Sequence, residues 1–134
     1  MKYVTFILGL LLIFSCAHVP GTSSPLNVDG TWKGMWDNSK VKKGQPPELF
    51  ILKLKSDGNS ITGTGCNATL NPDKWYDLKD IKRKGNTLFF SATPAAGLTL
   101  KCEAQVEGDK MNMTFKWGTL GLASDSFDLE REKL

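Results

Sequence analysis

Gly30-Thr31-Trp32-Lys33-Gly34-Met35-Trp36 places two indoles and a glycine on one side, with Thr31, Lys33 and Met35 on the other. A period of two is that of a β-strand, whose successive side chains point to opposite faces. Two indoles on one face of so short a strand need a deep apolar space, and Gly34 leaves room between them. The same period recurs downstream. Leu98, Leu100, Cys102, Ala104 and Val106 interleave with Thr99, Lys101, Glu103, Gln105 and Glu107, the most regular alternation in the chain.

Further strands are expected on both sides of that one. Residues 48–56 turn Phe50, Leu52 and Leu54 inward, and residues 60–67 do the same with Ile61, Gly63 and Gly65. Inward glycines imply close packing against the indoles or a sharply bent strand. Residues 87–93 contribute Leu88, Phe90 and Ala92, a seventh strand Met111, Met113, Phe115 and Trp117, and residues 125–132 Phe127, Leu129 and Arg131. The fourth strand, 75–82, is irregular. Tyr76 and Leu78 share one face while Trp75 and Ile81 share the other, which predicts a bulge. Asp57-Gly58-Asn59, Lys84-Gly85-Asn86 and Glu107-Gly108-Asp109-Lys110 supply tight turns.

Strands that follow one another with short links favour an antiparallel meander. No stretch has helical spacing, so no helix is expected to cover the apolar face. Such a sheet buries that face by curling shut, and closure removes its exposed edges. The expected fold is all-β, an eight-stranded antiparallel up-and-down barrel. A two-sheet sandwich is the alternative.

The chain of 134 residues is 40% hydrophobic and 23% charged, ordinary values for one globular domain. A formal charge of +3 is too small to suggest nucleic acid. The densest cluster, Lys82-Arg83-Lys84, reads as a solvated hairpin tip. The only histidine, His18, precedes the domain, so no Ser–His or Cys–His pair can form inside it. Two thiols without imidazole make a poor metal site. The domain is therefore read as no enzyme, with neither metal nor cofactor.

The N-terminus has its own logic. Met1-Lys2 precedes an apolar run of 12 residues, Tyr3 to Phe14, where a spanning helix needs about 20. A basic start, a short apolar core and small residues describe a secretory signal. Ile13-Phe14-Ser15-Cys16 resembles a bacterial lipobox. That resemblance implies cleavage before Cys16 and acylation of its sulfur and amine, giving a membrane anchor of several chains. Ala17 after the cysteine, rather than Asp, implies the outer membrane, facing the periplasm. Ordinary cleavage after Ala17 is the competing reading. The expected domains are a signal peptide at 1–15, a lipidated Cys16 with a Pro- and Ser-containing tether to residue 27, and a barrel at 28–134.

Gly30-Thr31-Trp32 resembles the opening motif of lipocalins and the wider calycin barrels. In calycins an Arg or Lys near the end of the last strand lies across the first-strand Trp. Arg131 holds the matching place, so the resemblance implies a stack of Arg131 on Trp32. Such a stack contributes on the order of 1 kcal/mol. Asp57-Gly58 with Ile61-Thr62-Gly63-Thr64 resembles a hairpin of avidin-type barrels, without the later positions that surround biotin. The wider likeness, over about Gly30 to Arg131, is to small bacterial lipoproteins with a lipocalin-like barrel.

Cys66 and Cys102 would share an oxidising compartment, which favours a disulfide. Strand parity opposes it, because Cys102 points inward and Cys66 outward, so the bridge stays open. Two readings of function remain. One is a small apolar or amphipathic ligand held by Trp36, Phe50, Leu52, Phe90, Leu100, Met113, Phe115 and Trp117. The other is a filled barrel whose loops, notably 37–47, act on an envelope protein partner as an accessory or inhibitor. The wealth of inward aromatics and Met favours the ligand.

Overall fold

The computed structural model of the chain describes residues 27–133. The signal segment, Cys16 and the tether through residue 26 lie outside the described residues. Eight strands follow in order: β1 Gly30–Trp36, β2 Glu48–Asp57, β3 Ser60–Asn67, β4 Tyr76–Lys84, β5 Thr87–Ala95, β6 Leu98–Glu107, β7 Lys110–Trp117 and β8 Ala123–Arg131. Each pairs antiparallel with its neighbour, and β8 returns to β1. The sheet is a closed up-and-down barrel, not a sandwich.

The expected bulge in β4 is present. Register shifts between Lys79 and Lys82, and Asp80 takes a φ of 55°. One extra residue there reverses parity. Tyr76 and Leu78 face inward before it, and Ile81 packs against the core after it. Trp75 precedes β4 and stays half-exposed on the outside, with Lys53 Nζ 4.5 Å from its ring centroid. Strand β5 runs beyond residue 93 to include Pro94. Its register with β6 shifts between Ala92 and Ala95, as a residue without an N–H requires.

The inward glycines of β3 serve neighbours other than the indoles. A Cβ on Gly65 would come 2.6 Å from Tyr76 Cε2, and one on Gly63 would come 2.7 Å from Leu54 Cδ2. Gly65 thus gives the Tyr76 ring its place. Gly34 does the equivalent at the seam. A Cβ there would overlap the Asp128 carbonyl oxygen and reach within 2.9 Å of Leu129 Cγ.

The strand directions give the barrel two unlike ends. The hairpins β2–β3, β4–β5 and β6–β7 gather with residue 27 at one end. That end is sealed. Trp32, Val28, Leu88 and Leu129 are fully buried there, and Trp32 Nε1 donates to Val28 O at 3.0 Å. Arg131 lies across Trp32 with Cζ 4.5 Å from the ring centroid. Its guanidinium donates to Asn27 O at 2.6 Å, Asp29 O at 2.7 Å and Gly108 O at 3.2 Å. Its Nε also pairs with Asp109 Oδ1 at 3.1 Å. One side chain therefore ties the incoming chain, the β6–β7 turn and β8 together.

Candidate functional site

At the opposite end, where the β1–β2, β3–β4, β5–β6 and β7–β8 connections gather, the first two loops, the β5–β6 hairpin and the end of β7 border a cavity of about 340 Å³. Its floor and walls are the mouth-end residues of the strands: Trp36, Phe50, Tyr76, Leu100, Phe115 and Trp117. Val41 and Leu70 extend the walls from the loops, and Leu98 does so from the first position of β6. The inner strand positions are apolar because alternation puts them there. The loop positions are apolar although they face solvent.

Below the cavity the barrel is filled. Trp36 meets Phe50 at a 6.0 Å centroid distance and Phe115 at 5.2 Å, both edge to face. Phe115 lies 5.9 Å from Phe127, and Phe127 lies 5.4 Å from Phe50. Beneath this cluster only about 20 Å³ remains, among Leu52, Phe90, Met113 and their neighbours. That is room for about one water, with Tyr76 and Cys102 as the polar side chains on its wall. Eight strands enclose an interior that side chains can fill, so the usable space lies above the aromatic cluster.

The eight ligand-facing residues expected from the sequence therefore divide. Trp36, Phe50, Leu100, Phe115 and Trp117 line the cavity, whereas Leu52, Phe90 and Met113 lie in the packed interior beneath it. Alternation gives the face of a side chain but not its height in the barrel. Sequence reading missed Tyr76, whose strand start is blurred by the bulge. It also missed Val41 and Leu70, which sit in loops without periodicity.

The polar groups at the mouth are largely paired. Glu48 is buried and accepts from Lys42 Nζ at 2.9 Å and Asn67 Nδ2 at 3.2 Å. Asn67 Oδ1 accepts from the backbone of Thr69 and Leu70, which shapes the loop that sets Leu70 at the cavity rim. Asn38 O accepts from Val41 N at 2.9 Å and Lys42 N at 2.7 Å, folding the first loop over the cavity. Trp36 Nε1 donates to Asp125 Oδ2 at 2.8 Å, so the indole is held against β8.

Cys66 and Cys102 are both buried and free. Cys102 lies on the inner face opposite Phe90 and Phe115, whereas Cys66 is on the outer face of β3. The β3–β4 loop covers it, and its Sγ donates to Asn71 O at 3.3 Å. The bridge left open by the sequence is not formed here: the sheet separates the two sulfurs, as parity puts them on opposite faces. Burial pushes the Cys102 thiol up to about 12, and burial with Asp73 nearby also raises Cys66. Both are thiols, not thiolates, at neutral pH.

A wider depression of about 540 Å³ lies on the outside of β5–β8, walled by Gln105, Asn112, Asp128 and Glu130. Asn112 Nδ2 and Asp128 Oδ1 already satisfy each other at 2.7 Å, and the surface is charged and solvated. The mouth cavity is the better candidate because apolar surface there is left open to solvent.

The sequence matches no protein-family profile and no curated sequence. Solved structures do share the fold. A secretory abundant heat soluble protein from Ramazzottius varieornatus superposes with a TM-score of 0.50 at 13% identity. It covers 78% of this chain and 94% of that one. A REP1-NXSQ fatty acid transporter superposes with a TM-score of 0.49 at 14% identity, over 79% and 96% of the two chains. What they share with this chain is the barrel. At these identities the likeness extends to the fold alone.

Proposed function

We propose that this chain is a cell-envelope lipoprotein, anchored through Cys16, whose barrel holds one small apolar or amphipathic ligand at its mouth. The observation that carries the ligand is the cavity of about 340 Å³ above a filled core. A dry apolar cavity of about 150 Å³ already accepts benzene, and ligand pockets begin at about 300 Å³. The site suits a two-ring or short-chain molecule and is too small for a long folded lipid. Its work is binding rather than catalysis, since Glu48, Lys42 and Asn67 are spent on one another and Trp36 Nε1 on Asp125. N-phenyl-1-naphthylamine fluorescence tests it, using protein that starts at Cys16→Ser. Enhancement that saturates at one probe per chain is expected, weakened at least tenfold by Leu100→Glu. Unsaturable or absent enhancement rejects ligand holding. Anchoring is tested separately, because an alkyne-tagged fatty acid should label the wild type and not Cys16→Ser.

One observation favours action through the loops on an envelope partner. Val41, Leu70, Leu98, Leu120 and Leu122 are exposed, the last two at 90% and 85%, and all stand in or next to the mouth connections. Leu120 also holds a φ of 64°, a costly setting for a leucine. Crosslinking from position 120 in intact cells distinguishes the readings. A single envelope protein captured there supports the partner, and lipid or nothing captured supports the ligand.

A further inference from the structure

Among the groups that line the mouth cavity, one donor at its floor is without a partner. Glu48, Lys42 and Asn67 satisfy one another, and Trp36 Nε1 is held by Asp125. Trp117 closes β7 at the rim, and Lys74 is exposed there, so water reaches both. Tyr76 is different. It borders both the cavity and the small void beneath, together with Phe50, Leu100 and Phe115. Gly65 lets its ring lie flat against β3, where a Cβ would come 2.8 Å from the phenol oxygen. Its hydroxyl meets no hydrogen-bonding group among the described residues. Burial raises the phenol well above its usual range, so it stays protonated and acts as a donor. No cation lies at that depth. The lysines of the site, Lys42 and Lys74, belong to the loops at the rim.

A hydroxyl that opens on the cavity loses access to water when an apolar ligand fills that space, and a ligand that supplies an acceptor offsets the loss. A carboxylate carried to the same depth would lose its hydration with only one neutral donor in return. Building on the ligand reading above, we propose that Tyr76 sets the ligand class: an apolar molecule with a neutral hydrogen-bond acceptor, a carbonyl, ether or ring nitrogen, at its inner end. A charged head, where the ligand has one, stays outward beside Lys74.

The test pairs two probes of nearly equal shape, 1-acetylnaphthalene and 1-ethylnaphthalene, titrated by calorimetry into the wild type and Tyr76→Phe. In the wild type both bind, and the ketone's C=O stretch moves to lower wavenumber than in hexane. In Tyr76→Phe the ketone loses about fivefold to tenfold in affinity, the net worth of one hydrogen bond, while 1-ethylnaphthalene stays within twofold. Both probes binding, with their ratio unchanged by the substitution or with an unshifted C=O stretch in the wild type, overturns the role of Tyr76 alone. The infrared measurement needs only the wild type and decides the matter even where the variant does not fold. Failure of both probes to bind the wild type overturns the ligand reading and this inference with it.

Discussion

Arg131 is the side chain whose loss should cost the barrel most for its size. Its two short bonds, to Asn27 O at 2.6 Å and Asp29 O at 2.7 Å, are charge-assisted. Each contributes about 1.5 kcal/mol at the low end of the range for charged donors. The stack on fully buried Trp32, with 4.5 Å between Cζ and the ring centroid, adds about 1 kcal/mol. The pair with Asp109 adds little, since that carboxylate is 64% exposed. Water re-entering at the barrel end recovers part of the loss, which leaves about 3 kcal/mol for Arg131→Ala. For a domain of this size that corresponds to a fall in Tm of about 12 °C. Arg131→Lys keeps the stem over the indole but offers a point charge where three carbonyls need a fork, so about half the loss is expected. Thermal unfolding followed by circular dichroism, with urea unfolding at 25 °C as a check, gives both numbers. If Arg131→Ala melts within about 2 °C of the wild type, roughly 0.5 kcal/mol, the latch does not hold the barrel closed.

Other perturbations follow from single contacts. Gly34→Ala drives a methyl into the Asp128 carbonyl and should cost about 3 kcal/mol or prevent folding; a urea midpoint shifted by less than a third of that contradicts the tight β1–β8 seam. Asp29 accepts from Ser56 N at 2.6 Å and from the Ser56 hydroxyl, which together hold its carboxyl below the usual 3.8. A lowered folded pKa stabilises above the unfolded value and is lost as pH falls through the folded one. Asp29→Asn should therefore lower Tm at pH 7 and make little difference near pH 2; an equal deficit at both pH values refutes the linkage. In Cys16→Ser protein, Ellman's reagent at pH 8 should find no reactive thiol in the folded chain and two after unfolding without reductant; none after unfolding means a bridge.

Strand alternation carried most of the fold. Trp32, Leu52, Phe90, Val106, Met113 and Leu129 all lie where period two puts them, and the conflicting parities of Trp75, Tyr76, Leu78 and Ile81 revealed the bulge at Asp80. The register of β8 on β1 places Arg131 opposite Trp32, so that contact was also readable once closure was assumed. The cavity was not readable. Its upper walls come from the half-exposed Val41 and Leu70, whose placement depends on bonds accepted by Asn38 O and Asn67 Oδ1 that no periodicity signals. The burial of Cys66 was hidden for a similar reason. Its outward face is fixed by parity, but the loop folded over that face is a tertiary event.

The two ends of the barrel answer different demands, and the division follows from its size. Side chains fill this eight-stranded interior to within about 20 Å³, so the Trp36–Phe50–Phe115–Phe127 cluster becomes a floor and any ligand sits above it. The volume of that space is then set by loop side chains that carry little of the packing. Exchanging Val41, Leu70 or Leu98 can reshape the site while the core and the Arg131 latch keep the fold. The latch also fixes where the described chain begins. Arg131 grips Asn27 at the sealed end, so residue 27 stands about 20 Å from the mouth, roughly one strand length away.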